Sequence, residues 1–516
     1  MTTRRRIQIG VLGLAAIFVL WAGYFIFRSS FIATDGRRYF SLFDDAMISM
    51  RYAWNLSHGA GLVWNPGERV EGYTNLLMVV LMSVWTGLLD KSSAVLAVQL
   101  TGIPILLGIA ALGFQHWLEL SRGNDVLHRN GFASLAFMGC LLYYPLAYWT
   151  LMGMETGLLT LFLLTGSLAL LRHIRTGRFP ELAGGAVALG LAYLTRPDSA
   201  PFAALMLVTA PLLGRVGDRG RLHAVVSGLA IYLVFPMLQT GFRAFYYGEL
   251  VPVTYTLKMT GMPLGVRVEN GLGFIRPFLG QVRWAFLLAF VGGIAGFSKR
   301  RVFLLIPPLM LVAYQVLIGG DAWSYWRLVA PAIPYVVLLA LSGADWLIGS
   351  LVRHPRPRPQ GLAAVRGRPF ARSLAKGSHR LSWIVALVAA ALIFGALTAD
   401  LVPLGSSGFG YTQRSLLLGG FLFAFLVIIA QEQPARHLVG FAVVLFVLGT
   451  SNRAFLQEAV LFRLPYQVEN NKNHVDVALS INRYTTQDAS VGVVWAGIIP
   501  YYTSRYAIDF LGKNDP

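Results

Sequence analysis

The chain is divided into apolar runs of about twenty residues, separated by short polar stretches. A helix of that length crosses about 30 Å of hydrocarbon. Spanning helices are expected near 7–31, 93–118, 131–149, 156–172, 181–195, 199–213, 223–242, 283–298, 302–318, 328–349, 381–400, 414–431 and 438–455. Composition agrees. The 516 residues are 56% hydrophobic and 13% charged, against about a quarter charged in a soluble domain. The expected fold class is an all-α polytopic membrane protein with about thirteen transmembrane helices.

The net charge of +19 would point to nucleic acid in a soluble chain. Here the tendency of Lys and Arg to stay on the cytoplasmic side explains it better, and no nucleic-acid-binding motif occurs. The first run, Ile7–Phe27, follows Arg4, Arg5 and Arg6 and is too long for a signal-peptide core, so it is expected to remain as an anchor. With residues 76–90 kept at the outer interface or re-entrant, the inside segments hold more than half of the 43 Lys and Arg. That places the N-terminus in the cytoplasm and the C-terminus outside. Residues 350–380, with Arg353, Arg356 and Arg358 among prolines, are expected to be a basic cytoplasmic linker touching anionic lipid. The single Cys140 allows no intrachain disulfide. From residue 456 the chain turns polar. SVGVVWAGIIPYYTS at 490–504 has a strand followed by turn punctuation, so 456–516 is expected to be a small α/β extracytoplasmic cap on a 1–455 transmembrane domain.

The most polar part of the N-terminal third is SLFDDAMISMRYAWNLSHGAGLVWNPGERVEGYTN, residues 41–75. It lies within the first outer loop, 32–92, which is the expected seat of the active site. Over 41–56 the spacing is helical, with Asp44, Ile48, Arg51 and Asn55 on one stripe and Met47, Met50 and Trp54 on another. A short helix on the outer membrane surface is expected. Neighbouring helical residues point about 100° apart, so one of Asp44 and Asp45 works in the site while the other holds the loop. Asn65-Pro66-Gly67-Glu68 is a type II turn signal. It would bring Glu68, Arg69, Glu71, Tyr73 and Asn75 to the same cavity. Arg51 and Trp64 of this stretch join the candidates for binding a ligand. Charges turned outward on a solvated interfacial helix are the competing explanation.

Further along, Glu155 opens a helix, where an acid also suits the helix dipole. Arg196-Pro197-Asp198 forms the apex of a hairpin whose two helices rise only roughly 22 Å each. An Arg near membrane depth is costly and usually has a partner; a lipid phosphate is one. RAFYYGELVPVTYTLK at 243–258 supplies Tyr247 and Lys258, against an interfacial aromatic belt as the plainer explanation. Gly319-Gly320-Asp321 suggests a tight loop leading to Arg327. No His pair has metal-ligand spacing, although a divalent metal remains compatible with this many acids. There is no phosphate-binding Gly-rich loop, and the inside loops are too short for a nucleotide-binding domain. Any sugar donor would therefore act outside, as a lipid-linked phosphosugar. Such chemistry needs a base, cations on the departing phosphate and a groove for the lipid tail.

DDAMISMRYAWNLSHGAGLVWNPGERVEGYTN resembles the signature of the terminal arabinofuranosyltransferases, membrane glycosyltransferases of the GT-C type. The stretches GMETG, LTRPD, YYGELVPVTYTLK, GGDAWSYWR and GIIPYYTSRYAIDFLGKNDP are similar in order and spacing. The resemblance implies a bacterial inner-membrane enzyme, a polyprenyl-phosphate sugar donor and an extracytoplasmic glycan acceptor. It puts Asp44 or Asp45 at the catalytic centre with Glu155 beside it. Arg196, Lys258 and Arg327 are then the cations for the donor phosphate. Arg51, Trp64, Glu68, Glu71, Tyr73, Asn75, Asp198, Tyr247 and Asp321 are the sugar- and acceptor-binding candidates. Relatives continue into a larger soluble domain, so the cap is small or the sequence ends early. A transporter or flippase of lipid-linked sugars, and an envelope scaffold, are the alternatives. Transporters often show repeats and broken midplane helices, whereas here no repeat is visible and the acids lie in an outer loop.

Overall fold

The computed structural model describes residues 3–122, 126–215, 217–253, 262–294, 298–352 and 434–514. The expected spans 381–400 and 414–431, the linker from residue 353 and Lys258 lie outside the described residues. In chain order the helices are α1 Thr3–Ser29, α2 Asp44–Ser57, α3 Leu76–Leu88, α4 Lys91–Leu120, α5 Val126–Leu141, α6 Tyr144–Leu151, α7 Thr156–Thr176, α8 Phe179–Thr195, α9 Ala200–Leu213 and α10 Asp218–Tyr247. They continue with α11 Leu264–Ile294, α12 Lys299–Leu304, α13 Ile306–Leu317, α14 Ile333–Val352, α15 Pro434–Asn452, α16 Val468–Tyr484 and α17 Ile498–Thr503.

Among the described residues seven helices are long and apolar enough to cross a membrane, with an eighth if the bent pair α5–α6 counts as one span. The expected span at 131–149 is therefore broken, by 57°. Pro145 in the first turn of α6 has no N–H to continue α5. The backbone groups freed at the break are taken up by Asn452. Its amide donates to the Leu142 carbonyl (2.9 Å) and accepts from the Tyr144 N–H (2.8 Å). A polar side chain restores hydrogen bonds that lipid cannot supply. Helices α8 and α9 are short, at 17 and 14 residues, as expected for the hairpin. The apolar stretch at 76–90 forms the 13-residue α3.

Helix α7 packs on α8, α4 on α5 and α7, α10 on α8, and α11 on α14. The antiparallel run of α7 and α8 sets the poles of the bundle. Glu155 and Arg196 sit at one end, Arg175 and Arg178 at the other. At the Glu155 end sits the C-terminal cap, which is α/β. Strands β3 (Ser490–Val493) and β4 (Tyr506–Asp509) pair in parallel, with α17 in the crossover between them. A two-residue antiparallel ladder, β1 (Phe31–Ile32) and β2 (Arg38–Tyr39), precedes α2.

Helix α2 has the expected extent, but it does not lie on a membrane surface. Met47 and Met50 are fully buried in the bundle, while Asp44 and Arg51 on the polar stripe are buried under the cap. The helix is an interlayer between the two parts. Two apolar or hydrogen-bonded faces, rather than one wet face, account for a polar stripe with so little exposure.

Candidate active site

The seam between α2 and the cap uses the polar stripe. Arg51 donates to the carbonyls of Trp64 (2.5 Å) and Arg505 (2.9 Å) and to Asn65 Oδ1 (2.7 Å), with its guanidinium over the Trp64 ring. The Trp64 indole donates to the Ala496 carbonyl at 3.2 Å. Asn65 pairs with Ala507 through both backbone groups, at 2.9 and 3.2 Å. Glu68 accepts from the Tyr506 hydroxyl at 2.5 Å. Arg51, Trp64 and Glu68, read from the sequence as facing sugar or acceptor, are instead spent on docking the cap. The Asn65–Glu68 turn forms with Gly67 at φ +93° and an N–H···O bond of 3.2 Å, as type II geometry requires.

Asp44 belongs to the same seam. Its two oxygens accept from the N–H groups of Gly497 (3.1 Å) and Ile498 (2.9 Å) at the start of α17. A Cβ on Gly497 would stand 2.0 Å from the Asp44 carbonyl oxygen, so only glycine permits this approach. Burial is the largest influence on the Asp44 carboxyl and pushes it up to about 7, opposed by the Ile498 N–H and assisted by neighbouring Asp45. Asp44 thus joins α2 to the cap.

Asp45 points elsewhere. One oxygen accepts from Arg327 Nη1 at 2.8 Å and from the Trp323 indole at 3.1 Å. The side chain keeps 21% of its surface exposed, against 5% for Asp44. Arg327 also makes a two-pronged contact with Asp321, at 2.6 and 3.1 Å. The loop that presents it begins with Gly319 and Gly320 at φ +88° and +87° and passes through Tyr325 and Trp326 at φ +68° and +45°. Left-handed conformations at two successive aromatic residues are strained. Neighbours hold them there: Trp149 donates to the Tyr325 carbonyl at 3.0 Å, and the Tyr325 hydroxyl meets Glu458 at 2.6 Å.

A second ion cluster lies beside the first. Glu155 does not cap α7; its oxygens accept from Arg196 Nη1 (2.6 Å) and Asn75 Nδ2 (3.1 Å). Asn75 in turn accepts from the Ser49 hydroxyl of α2 at 3.0 Å. Arg196 also grips Asp198, whose Oδ2 accepts from Nε at 3.1 Å and from Nη2. Both guanidiniums are buried, yet each is held firmly protonated by two carboxylates. Arg327 lies within electrostatic reach of Glu155 as well as of Asp321 and Asp45, so the two clusters are neighbours. Each Arg has one buried partner, Asp321 or Glu155, and one more open partner, Asp45 or Asp198 at 21% and 31% side-chain exposure.

The remaining candidates brace this site from the side. Glu71 forms a two-pronged pair with Arg243 of α10, one contact being 3.1 Å. The Tyr247 hydroxyl donates to the Leu62 carbonyl (2.7 Å) and lies 3.3 Å from that of Tyr73. Of the five residues expected to follow the turn into one cavity, only Asn75 reaches the carboxylates. Sequence reasoning missed Ser49, Glu458 and the indole pair Trp323–Trp495, whose centroids are 5.6 Å apart. The GGDAWSYWR loop carried Trp323 openly, but an indole beside a membrane looks like belt whether or not it binds anything. Among the described residues no three acidic, His or Cys side chains are grouped so as to hold a metal ion.

The chain is similar to the terminal beta-(1->2)-arabinofuranosyltransferase of Corynebacterium glutamicum, 29% identical over 377 residues, covering 64% of this chain and 49% of the relative. The Mycobacterium tuberculosis protein of the same name is 30% identical over 227 residues, covering 42% and 34%. The chain spans about half the length, or less, of these curated relatives. Crystal structures of ArnT from Cupriavidus metallidurans, apo and bound to undecaprenyl phosphate, superpose with a TM-score of 0.50 at 15% identity, over 96% of this chain and 86% of theirs. A family model described as a domain of unknown function (DUF8728) matches residues 464–516, the cap.

Proposed function

From a chain with the GT-C fold, we propose a glycosyltransferase that moves a sugar from a polyprenyl-phosphate donor to an extracytoplasmic glycan. Similarity to proteins named arabinofuranosyltransferases makes arabinofuranose the first sugar to try. The observation that carries the reading is the paired-carboxylate site: two buried guanidiniums, each between a buried and an open carboxylate, at helix ends facing the cap. The undecaprenyl phosphate bound to the fold relative makes a lipid phosphate the natural ligand.

In this mechanism the donor phosphate enters at Arg327 and Arg196 and displaces the open partners Asp45 and Asp198. Glu155 and Asp321 stay and keep both guanidiniums in place. Arg forks suit two phosphate oxygens. Giving up Arg327 to the phosphate turns the Asp45 carboxylate to the acceptor hydroxyl. The carboxylate then accepts the proton of that hydroxyl. The hydroxyl oxygen bonds to the anomeric carbon, the bond from that carbon to the phosphate oxygen breaks, and polyprenyl phosphate leaves with its new charge on the two Arg residues. Trp323 and the partly exposed Trp495 offer aromatic faces beside Asp45 for a sugar ring.

The membrane is the bacterial inner membrane, with the N-terminus cytoplasmic and the cap outside. Support comes from the basic pole: Arg122, Arg175, Arg178, Arg215, Lys299 and Arg300 lie at the end of the bundle away from the carboxylates. On this reading 1–455 is the transmembrane enzyme domain, with 32–92 as its active-site loop and 456–516 as its cap. The purified protein, given a panel of polyprenyl-phosphate sugars and a glycan acceptor, should form a glycosylated product from one of them. Binding of donor without product from any member of the panel would instead favour a carrier.

A further inference from the structure

At the pole away from the carboxylate site, the ends of α4, α7, α9 and α12 enclose a cavity of about 650 Å³. That is the size of a small-ligand pocket. Helix α7, 21 residues long, separates it from Glu155 by roughly 30 Å. Arg122, Arg175, Arg215, Lys299 and Arg300 line it. Glu119, 2% exposed, sits among them. One Glu119 oxygen accepts from Arg175 Nε at 2.6 Å, and the other meets Arg122 Nη2 at 3.1 Å. The backbone carbonyl of Glu119 accepts from Arg300 Nη1 at 2.8 Å. Arg300 lies within electrostatic reach of Arg122, Arg175 and Arg215 together.

A preference for cations on the cytoplasmic side explains how many there are, but not this arrangement. Loose snorkelling cations would spread into water. Here Glu119 ties three guanidiniums around one space, two through its buried carboxylate and one through its backbone carbonyl, and Arg215 and Lys299 add two more charges. Among the described residues the five cations face one carboxylate, which leaves a concentrated positive charge for an anion. Arg forks match phosphate oxygens. The cavity adjoins exposed apolar surface: Leu213 lines it, while Leu212 beside it is 53% exposed. Basic pockets between membrane helices on this side suit lipid headgroups.

We propose that this cavity is a binding site for the phosphate headgroup of an anionic lipid, separate from the transfer site. The lipid's acyl chains lie along the α9 surface and its phosphate enters between Arg215, Lys299 and the arginines held by Glu119.

The test uses the full chain in phosphatidylcholine micelles titrated with phosphatidic acid, with retained lipid counted by native mass spectrometry. Phosphatidic acid should bind saturably. Arg215→Gln/Lys299→Gln removes two exposed cations without touching the Glu119 cluster and should weaken binding roughly tenfold or more. Arg178→Gln/Arg219→Gln removes the same charge at the same pole outside the cavity and should leave binding unchanged. Equal loss in both double variants, or none in the first, overturns the proposal. Inorganic phosphate added as competitor separates sources. Displacement of the lipid shows that the phosphate group alone is recognised, and retention shows that the acyl chains are needed too. No transfer reaction is measured, so the result stands apart from that of the transfer assay.

Discussion

Two adjacent acids, Asp44 and Asp45, meet different partners because one residue of helix turns a side chain by about 100°. Asp45→Asn should lower turnover by about 10²-fold or more, the scale of a lost general base, with an unchanged melting temperature. Asp44→Asn replaces one of two acceptors for the α17 N–H groups. It should cost about 1–3 kcal/mol of stability while folded molecules keep most of their turnover. Wild-type stability with lost turnover in Asp44→Asn, and an active Asp45→Asn, would reverse the assignment. The Asp44 carboxyl also sets a pH dependence. Its affinity for a proton is raised on folding, to about 7. Between about pH 4 and pH 7 the folded state holds more protons than the unfolded one, so this contribution to stability is lost as pH rises. The melting-temperature advantage of wild type over Asp44→Asn should therefore shrink between about pH 4 and pH 7. Arg196→Ala would leave Glu155, 1% exposed, without its cation. Breaking a buried pair on one side costs roughly 3–5 kcal/mol, so both melting temperature and specific activity should fall.

At the scale of elements, α2 is the joint. Its existence and extent were legible from the 3.6-residue spacing of Met47, Met50 and Trp54 against Asp44, Ile48, Arg51 and Asn55. Its environment was not, because a polar stripe looks the same whether it faces water or another layer of protein. Gly497 is the tightest point of that contact. In Gly497→Ala the new methyl would collide with the Asp44 backbone, and that backbone cannot swing aside. Limited proteolysis should then cut the cap between α16 and β4 in the variant, with the transmembrane fragment left intact. Equal protease resistance in variant and wild type would mean that the contact relaxes without undocking. The 319–327 loop gives a similar lesson. The double glycine predicts the tight turn, but the left-handed Tyr325 and Trp326 that aim Arg327 depend on Trp149 and Glu458, far away in the chain.

Across the whole molecule the paired helices α7 and α8 set two poles, one acidic and capped, one basic. Cys residues introduced as Arg178→Cys and Ser480→Cys, each in a Cys140→Ser background, should react with impermeant reagent from opposite sides of the membrane. Labelling from one side would discard the topology with a cytoplasmic N-terminus. Cys140 is buried, so its replacement by a residue of similar size should disturb the bundle little.

The sequence alone determined that this chain is a membrane helical bundle with a small α/β cap, because run length and strand alternation are local properties that water and lipid read directly. It also pointed to the short α8–α9 hairpin and to the acids of the first loop as unusual. Only the tertiary structure decided which partner each acid takes. It sent Asp44, Arg51, Trp64 and Glu68 to the cap, Glu71 to Arg243, and Asp45, Asp321, Glu155 and Asp198 to two shared guanidiniums. The physical reason is that a buried charge takes whichever partner the packing brings within reach. That partner lies up to hundreds of residues away, where no local spacing records it.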